Sequence, residues 1–379
     1  MSVGRVLITG GAGFIGSWLI PVLTDVGMSV RVLDSLTPQV HGQIPGMDYS
    51  VLNHANLEFV RGDICEPTVL DCALKDCDAV VHLAAETGTA QSMYRIEHYY
   101  RVNVQATALL FESAAIRNRS VKKIILASSR SVYGEGAYEL DGRITVPAPR
   151  STKQLQAGQW DPVHVDGRRL RPIATPETVR LRPASIYAAT KVAIEELGAV
   201  ISESYGTSVT ALRFQNVFGE GQSLRNPYTG ILSIFSNRMR QQLPIRIFED
   251  GNESRDFVHA SDVARAIKLA LDTPAEGFSA INVGSGRPIP VLEVAQRLKK
   301  LLGSESEITV SGEFRSGDIR HGYADLTKAR ELFGYIPAVT FEDGIKRFVA
   351  WVMGQPPAVD RSRDAQAELT AHGLGRVAN

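Results

Sequence analysis

Cysteine is scarce: three residues in 379, at Cys65, Cys72 and Cys77. An odd number in one short stretch, without histidine at ligand spacing, speaks against a disulfide framework and against zinc. The expectation is free, buried or half-buried thiols in a reduced, cytoplasmic chain, and no metal. Long apolar runs are also missing. The longest are strand-length, such as Lys123-Ile-Ile-Leu-Ala127, far short of a membrane span. A strand-like segment, Arg5–Ile8, begins within a few residues of Met1 and leaves no room for a secretory signal. Net charge is absent, with 41 basic and 41 acidic side chains, so no long-range field draws the chain to nucleic acid or to a membrane surface. The rest, 44% apolar and 22% charged, suits a globular protein of one large domain or two smaller ones.

What is present is alternation. Short runs rich in β-branched residues stand at Arg5–Thr9, Ser29–Leu33, Leu57–Arg61, Ala79–Leu83 and Lys123–Ser128. Helical patterns separate them at Ile15–Val26, Glu66–Leu74 and Tyr99–Ile116. Repetition of βαβ units with right-handed crossovers predicts an α/β fold of the Rossmann type, a doubly wound parallel sheet. The rhythm breaks between residues 135 and 182, where Pro147-Ala-Pro-Arg150 and Gly167-Arg-Arg-Leu-Arg-Pro172 occur. Flanked by ordered chain, this stretch reads as an insertion near the site. It is expected to act as a lid that brings Arg168, Arg169 or Arg171 to a substrate, the alternative being a solvated loop. Further helices follow at Ser185–Glu203, Gly230–Arg240, Asp262–Leu271, Val291–Leu302 and Phe341–Met353, with strands at Ser208–Phe214 and Ile245–Phe248. The expected domains are 1–215, with a segment near 256–285 returning to it, and a smaller mixed α/β substrate domain over 216–354. Residues 355–379 are expected to form a loosely packed tail.

The first strand runs into Gly10-Gly-Ala-Gly-Phe-Ile-Gly16 and then a helix. Glycines at 10, 13 and 16 allow a tight turn whose N–H groups face a pyrophosphate at the helix N-terminus, with Phe14 and Ile15 beside it. Alone the motif is weak, but Asp34 ends the next strand, where a carboxylate meets the adenosine ribose hydroxyls and repels a 2′-phosphate. NAD is therefore expected rather than NADP; otherwise Asp34 merely caps its turn. Asp63 and Ile64, after the third strand, are candidate adenine contacts.

Tyr187-Ala-Ala-Thr-Lys191 opens a helix, and the i, i+4 spacing puts phenol and amine on one face. A neighbouring ammonium and the positive nicotinamide would make Tyr187 a usable base at neutral pH. In order along the chain stand Gly10-x-x-Gly13-x-x-Gly16, Leu83-Ala84-Ala85, Asn103, Ser128-Ser-Arg-Ser-Val-Tyr-Gly134, Tyr187-x-x-x-Lys191 and Arg213-Phe-Gln-Asn216. This set, over about Gly4 to Met353, resembles the extended short-chain dehydrogenases of the nucleotide-sugar epimerase/dehydratase group.

The resemblance implies that Ser129 is the catalytic hydroxyl residue, that Leu83, Ala84, Ala85 and Asn103 belong to the cofactor site, Asn103 securing backbone packing rather than doing chemistry, and that the chain forms a homodimer through Tyr99–Ile116 and Ser185–Glu203. Relatives that perform 4,6-dehydration carry an Asp-Glu pair directly after that serine. Here Arg130-Ser131 follows, so elimination of water is disfavoured and hydride chemistry at C4 remains. The implied activity is 4-epimerisation of a dTDP- or UDP-linked sugar, with a 4-keto-sugar reductase or an inactive NAD-binding regulatory protein as alternatives. Thr87, Thr89, Arg130, Asn216, Arg255 and Arg315 are the implied sugar and diphosphate contacts, guanidinium suiting paired phosphate oxygens. The stretches Glu86–Tyr94, Tyr133–Tyr138 and Phe314–His321 resemble the branch that epimerises dTDP-L-rhamnose at C4. Ser129 and Tyr187 stand 58 positions apart, a longer interval than most of the group has.

Overall fold

The computed structural model describes residues 4–41, 54–226, 228, 230–315, 317–356, 358–360 and 362–374. Seven strands form one parallel sheet: β1 (Arg5–Thr9), β2 (Ser29–Asp34), β3 (Leu57–Arg61), β4 (Ala79–His82), β5 (Lys123–Ser129), β6 (Ser208–Phe214) and β7 (Phe278–Val283). Their order across the sheet is β7-β6-β5-β4-β1-β2-β3. The direction of winding reverses between β1 and β4, so a crevice opens there at the carboxyl ends of the strands. Helices cover both faces, and every residue of β6 is buried. On one face the helices Phe14–Thr24 and Ala260–Asp272 meet through Leu19, Leu23, Val263 and Ile267. On the other, Leu70, Leu110, Phe111 and Ala114 pack against β1, β4 and β5.

The segment following the strand Ser254–His259 returns to this sheet as helix Ala260–Asp272 and β7, which pairs with β6 from Phe278–Val209 to Val283–Phe214. The remaining C-terminal chain builds a smaller mixed unit. Strand Asn216–Phe218 pairs parallel with Ser254–His259, which pairs antiparallel with Pro288–Pro290. Helices Ile231–Arg240, Val291–Leu302 and Phe341–Gly354 close over Phe218, Phe257, Phe341 and Phe348. Among the described residues no helix is long and apolar enough to cross a membrane.

Two expectations are corrected. The insertion does fold, as a three-stranded sheet with Tyr138–Leu140 between Arg143–Thr145 and Arg171–Pro172, plus the helix Thr152–Gln156. Arg168, Arg169 and Arg171 do not reach the cavity described below. Arg168 pairs with Asp141 and Asp166, Arg171 with Glu139, and Arg169 lies exposed beside a bridge to Val163. The insertion's inward arginine is Arg150, buried between Glu135 (3.1 Å) and Glu249 (2.8 Å). Its neighbour Arg320 binds Asp250, Asp161 and Glu249, so a charge cluster with Arg150, Glu135, Glu249 and Arg320 buried at its centre fastens the insertion to the C-terminal unit. Nor is the tail loose throughout: Ser362–Ala371 is helical, with Leu369 buried. Residues 375–379 of the expected tail lie outside the described residues.

Candidate active site

A cavity of about 770 Å³ runs along the carboxyl ends of β1, β2, β4, β5 and β6 and on to strand Asn216–Phe218. The turn after β1 forms its floor. Gly10 has φ +68°, and a Cβ there would lie 2.6 Å from the Ala84 nitrogen. At Gly16 a Cβ would fall 2.1 Å from the Gly11 carbonyl oxygen. Glycine is thus required for the loop to close against β4 and for the helix to start where it does. Gly13 caps the helix Phe14–Thr24 without a side chain, leaving first-turn N–H groups for an anion. Gly13, Phe14, Ile15, Leu83, Ala84 and Ala85 all line this end.

Asp34 lines the cavity and also holds the turn. Its carboxylate accepts from the Leu36 N–H (2.8 Å) and from the Ala12 N–H in the glycine loop (3.0 Å). Carboxylate lone pairs remain for a ribose diol. Asp34→Asn keeps an acceptor but removes the charge, so the preference for NAD over NADP is expected to narrow roughly tenfold, about 1.4 kcal/mol. Comparing the two dissociation constants by titration checks this; an unchanged ratio would reduce Asp34 to a turn cap. Asp63 and Ile64 also line the cavity, and Asp63 accepts from the Cys65 N–H.

Asn103 is not among the residues that line the cavity. It is buried in a wide helical turn, Arg101–Gln105. Its side chain exchanges hydrogen bonds with the Glu86 backbone (2.8 and 3.0 Å) and donates to Thr190 (3.0 Å) on the helix Ile186–Tyr205. All its polar atoms are spent on joining the β4 loop to that helix, so it positions rather than contacts.

Tyr187 sits in the first turn of this helix, where the Ser185 hydroxyl accepts from the Ala188 N–H at 3.1 Å. The Tyr187 N–H donates to Ser92 at 3.0 Å, a brace between residues 95 positions apart that no sequence pattern signals. Lys191 Nζ lies 5.8 Å from the Tyr187 ring centroid and donates to the Ala127 carbonyl at 2.7 Å. Burial lowers the ammonium to about 8, against the pull of Glu195. Burial also pushes the Tyr187 phenol up, while the Ser129 hydroxyl and the Arg130 guanidinium draw it back down. Ser129 ends β5 and accepts from the Ser131 N–H at 3.2 Å, opening the turn Arg130–Tyr133. Its neighbour Ser128 is tied to the Glu195 carboxylate. Glu195 also receives Arg213 (2.6 Å), and Arg213 donates to the Tyr133 phenol (2.9 Å). The Lys191-x-x-x-Glu195 spacing could have revealed this second face of the helix.

Thr87, Thr89, Arg130 and Asn216 also line the cavity. Gln222, Asn226 and Tyr228, which the sequence did not single out, line it as well. Arg255 and Arg315 are not among the residues that line this cavity. Arg255 donates to the carbonyls of Ser254, Ile319 and Arg320 at 2.8–3.1 Å. Arg315 lies over the Phe248 ring, 4.4 Å from its centroid.

The model of the NAD dependent epimerase/dehydratase family matches residues 6–153 and 165–284. The dTDP-L-rhamnose 4-epimerase of Burkholderia thailandensis is 38% identical over 351 residues, 92% of this chain and 94% of that protein. Among solved structures, MoeE5 in complex with UDP-glucuronic acid and NAD is 30% identical, with a TM-score of 0.73 over 93% of this chain and 99% of that one. The UDP-glucose 4-epimerase of Thermus thermophilus in complex with NAD is 28% identical, with a TM-score of 0.73, covering 93% of this chain and 100% of that one.

Proposed function

Since the chain belongs to the NAD dependent epimerase/dehydratase family, we propose that it is an NAD-dependent 4-epimerase of a nucleotide-linked sugar, a dTDP- or UDP-linked hexose or deoxyhexose. The observation that carries this reading is one cavity lined by the glycine turn, Ser129, Tyr187 and Lys191, with Arg130-Ser131 where elimination of water would need two carboxyl groups. The glycine floor, the open helix N-terminus and Asp34 suit NAD, held at the β1–β2 end. When bound, NAD supplies the two-electron acceptor for the sugar's C4 and the donor for its return.

The chain's own residues handle the proton and the orientation. Tyr187 takes the proton from the C4 hydroxyl and gives it back once the sugar ring has turned about its diphosphate link. Ser129 bridges the sugar oxygen and the phenol. Lys191, anchored on the Ala127 carbonyl, keeps positive charge beside the Tyr187 ring. Thr87, Thr89, Arg130 and Asn216, which line the same cavity, hold the substrate. Nothing is oxidised or reduced overall.

Incubation with dTDP-L-rhamnose, UDP-glucose and UDP-glucuronate without added cofactor tests the reading. The expected result is inversion at C4, followed by NMR, with no net formation of reduced cofactor. Strict dependence on added NADH or NADPH would replace the epimerase by a reductase. A homodimer through the helices around Ile96, Tyr100, Val200 and Tyr205, all well exposed in the single chain, completes the proposal, and light scattering gives the mass directly. Three free cysteines suit a cytoplasmic enzyme.

A further inference from the structure

The C-terminal segment reaches the wall of the cavity. Beyond helix Phe341–Gly354 it runs beside helix Ile231–Arg240. Arg240 donates to the Gln355 carbonyl (2.6 Å), Gln241 to the Ala358 carbonyl (3.0 Å), and Arg238 pairs with Asp360 (2.6 Å). The helix Ser362–Ala371 then sets Glu368 against two tyrosines. The Tyr94 phenol donates to Glu368 Oε2 at 2.6 Å, the Tyr228 phenol donates to the same oxygen, and the two hydroxyls are 3.2 Å apart. His372 stacks on Tyr94 with centroids 4.5 Å apart and rings within 9° of parallel.

These tyrosines come from different walls. Tyr94 follows the short helix Thr89–Ser92, whose last residue holds the Tyr187 N–H. Tyr228 lies beyond strand Asn216–Phe218, in the stretch that gives Gln222, Ser223, Asn226 and Gly230 to the cavity, and it lines the cavity itself. The walls meet closely at Gly88, where a Cβ would come within 3.0 Å of the Tyr228 Cβ. One carboxylate therefore joins the segment that braces Tyr187 to the stretch from Gln222 to Gly230 that lines the cavity.

We propose that the C-terminal helix is a strap across the substrate end of the cavity, and that Glu368 is a positioning residue that holds Tyr228 against the bound sugar nucleotide. The proposal rests on the reading of this cavity as a nucleotide-sugar site. Two phenols on one carboxylate make charge-assisted hydrogen bonds, and a side chain fixed beforehand loses less freedom when ligand arrives. The two phenols hold the Glu368 carboxyl below its ordinary range, so it stays ionised and accepting at neutral pH.

The experiment uses the full chain with two sets of substitutions. Glu368→Ala should raise KM for the nucleotide sugar roughly tenfold, the worth of one hydrogen bond to a charged group, with kcat, bound NAD and the melting temperature unchanged. Glu368→Gln, which keeps an acceptor, should fall between. An unmoved KM overturns the proposal, as does a loss of kcat and melting temperature together with KM unchanged, the signature of a structural brace. Hydrogen exchange needs no substrate: Tyr94→Phe with Tyr228→Phe should speed exchange of the amides from Leu369 to Gly373. Equal exchange removes the strap. If the wild type turned over no sugar, the functional reading would fall alone, and faster exchange would still uphold the strap.

Discussion

Tyr187→Phe is expected to lower kcat by roughly 10²- to 10⁴-fold while NAD remains bound. The substitution removes one hydroxyl and little else. The brace to Ser92 comes from the Tyr187 backbone N–H, and the Lys191 anchor on the Ala127 carbonyl does not involve the phenol. Loss of turnover with cofactor content intact would therefore report on proton transfer and not on a collapsed helix. A variant within tenfold of wild type would remove Tyr187 as the base. The pH profile gives a second check. Lys191 is lowered by burial to about 8 from 10.5, so it loses its charge as pH rises past 8, and kcat should fall there. Stability moves the other way. Because the folded pKa lies below the unfolded one, the buried ammonium costs stability below pH 8, and that cost fades between about 8 and 10.5. Urea midpoints and kcat measured together across this window should move in opposite directions.

The parts legible in the sequence are those fixed by local chemistry. The bounds of β1, β3, β6 and helix Val291–Leu302 match the apolar patterns because each segment's own residues decide its state. The glycine turn, Asp34 and the Tyr187–Lys191 pair could be read because spacing along the chain sets their positions on a strand end or a helix face, whereas Ser129 followed from the family resemblance alone. What could not be read depends on partners far away in sequence. Arg255 and Arg315 have the right chemistry for a diphosphate, but no spacing shows that Arg255 meets backbone carbonyls or that Arg315 lies over an aromatic ring. The same holds for the insertion: its three candidate arginines have carboxylates or solvent at hand, while Arg150, in the Pro147-Ala-Pro-Arg150 stretch, has the buried side chain. The tail helix carries few apolar residues, and Glu368 and His372 meet side chains far away in sequence, Tyr94 and Tyr228.

Arg213→Met is expected to destabilise the fold by roughly 3–5 kcal/mol, the usual cost of breaking a buried ion pair from one side. Arg213 and Glu195 are both buried, their side chains 5% and 4% exposed. The guanidinium meets both carboxylate oxygens (3.0 and 2.6 Å) and the Tyr133 phenol (2.9 Å), and it lies 4.9 Å from that ring's centroid. Methionine fills much of the space but supplies neither charge nor donor, so Glu195 must stay ionised without its partner or take up a proton. The damage should also reach catalysis, because Glu195 stands one helical turn beyond Lys191 and also receives Ser128, next to Ser129. Urea unfolding gives the stability change, and turnover below the unfolding transition gives the catalytic one. Adding Glu195→Leu removes the stranded charge, so the double variant should regain most of the lost stability even though it lacks both partners. If it is no more stable than Arg213→Met alone, the stranded carboxylate is not what destabilises the single variant, and the ion pair is not what holds the catalytic helix on β6.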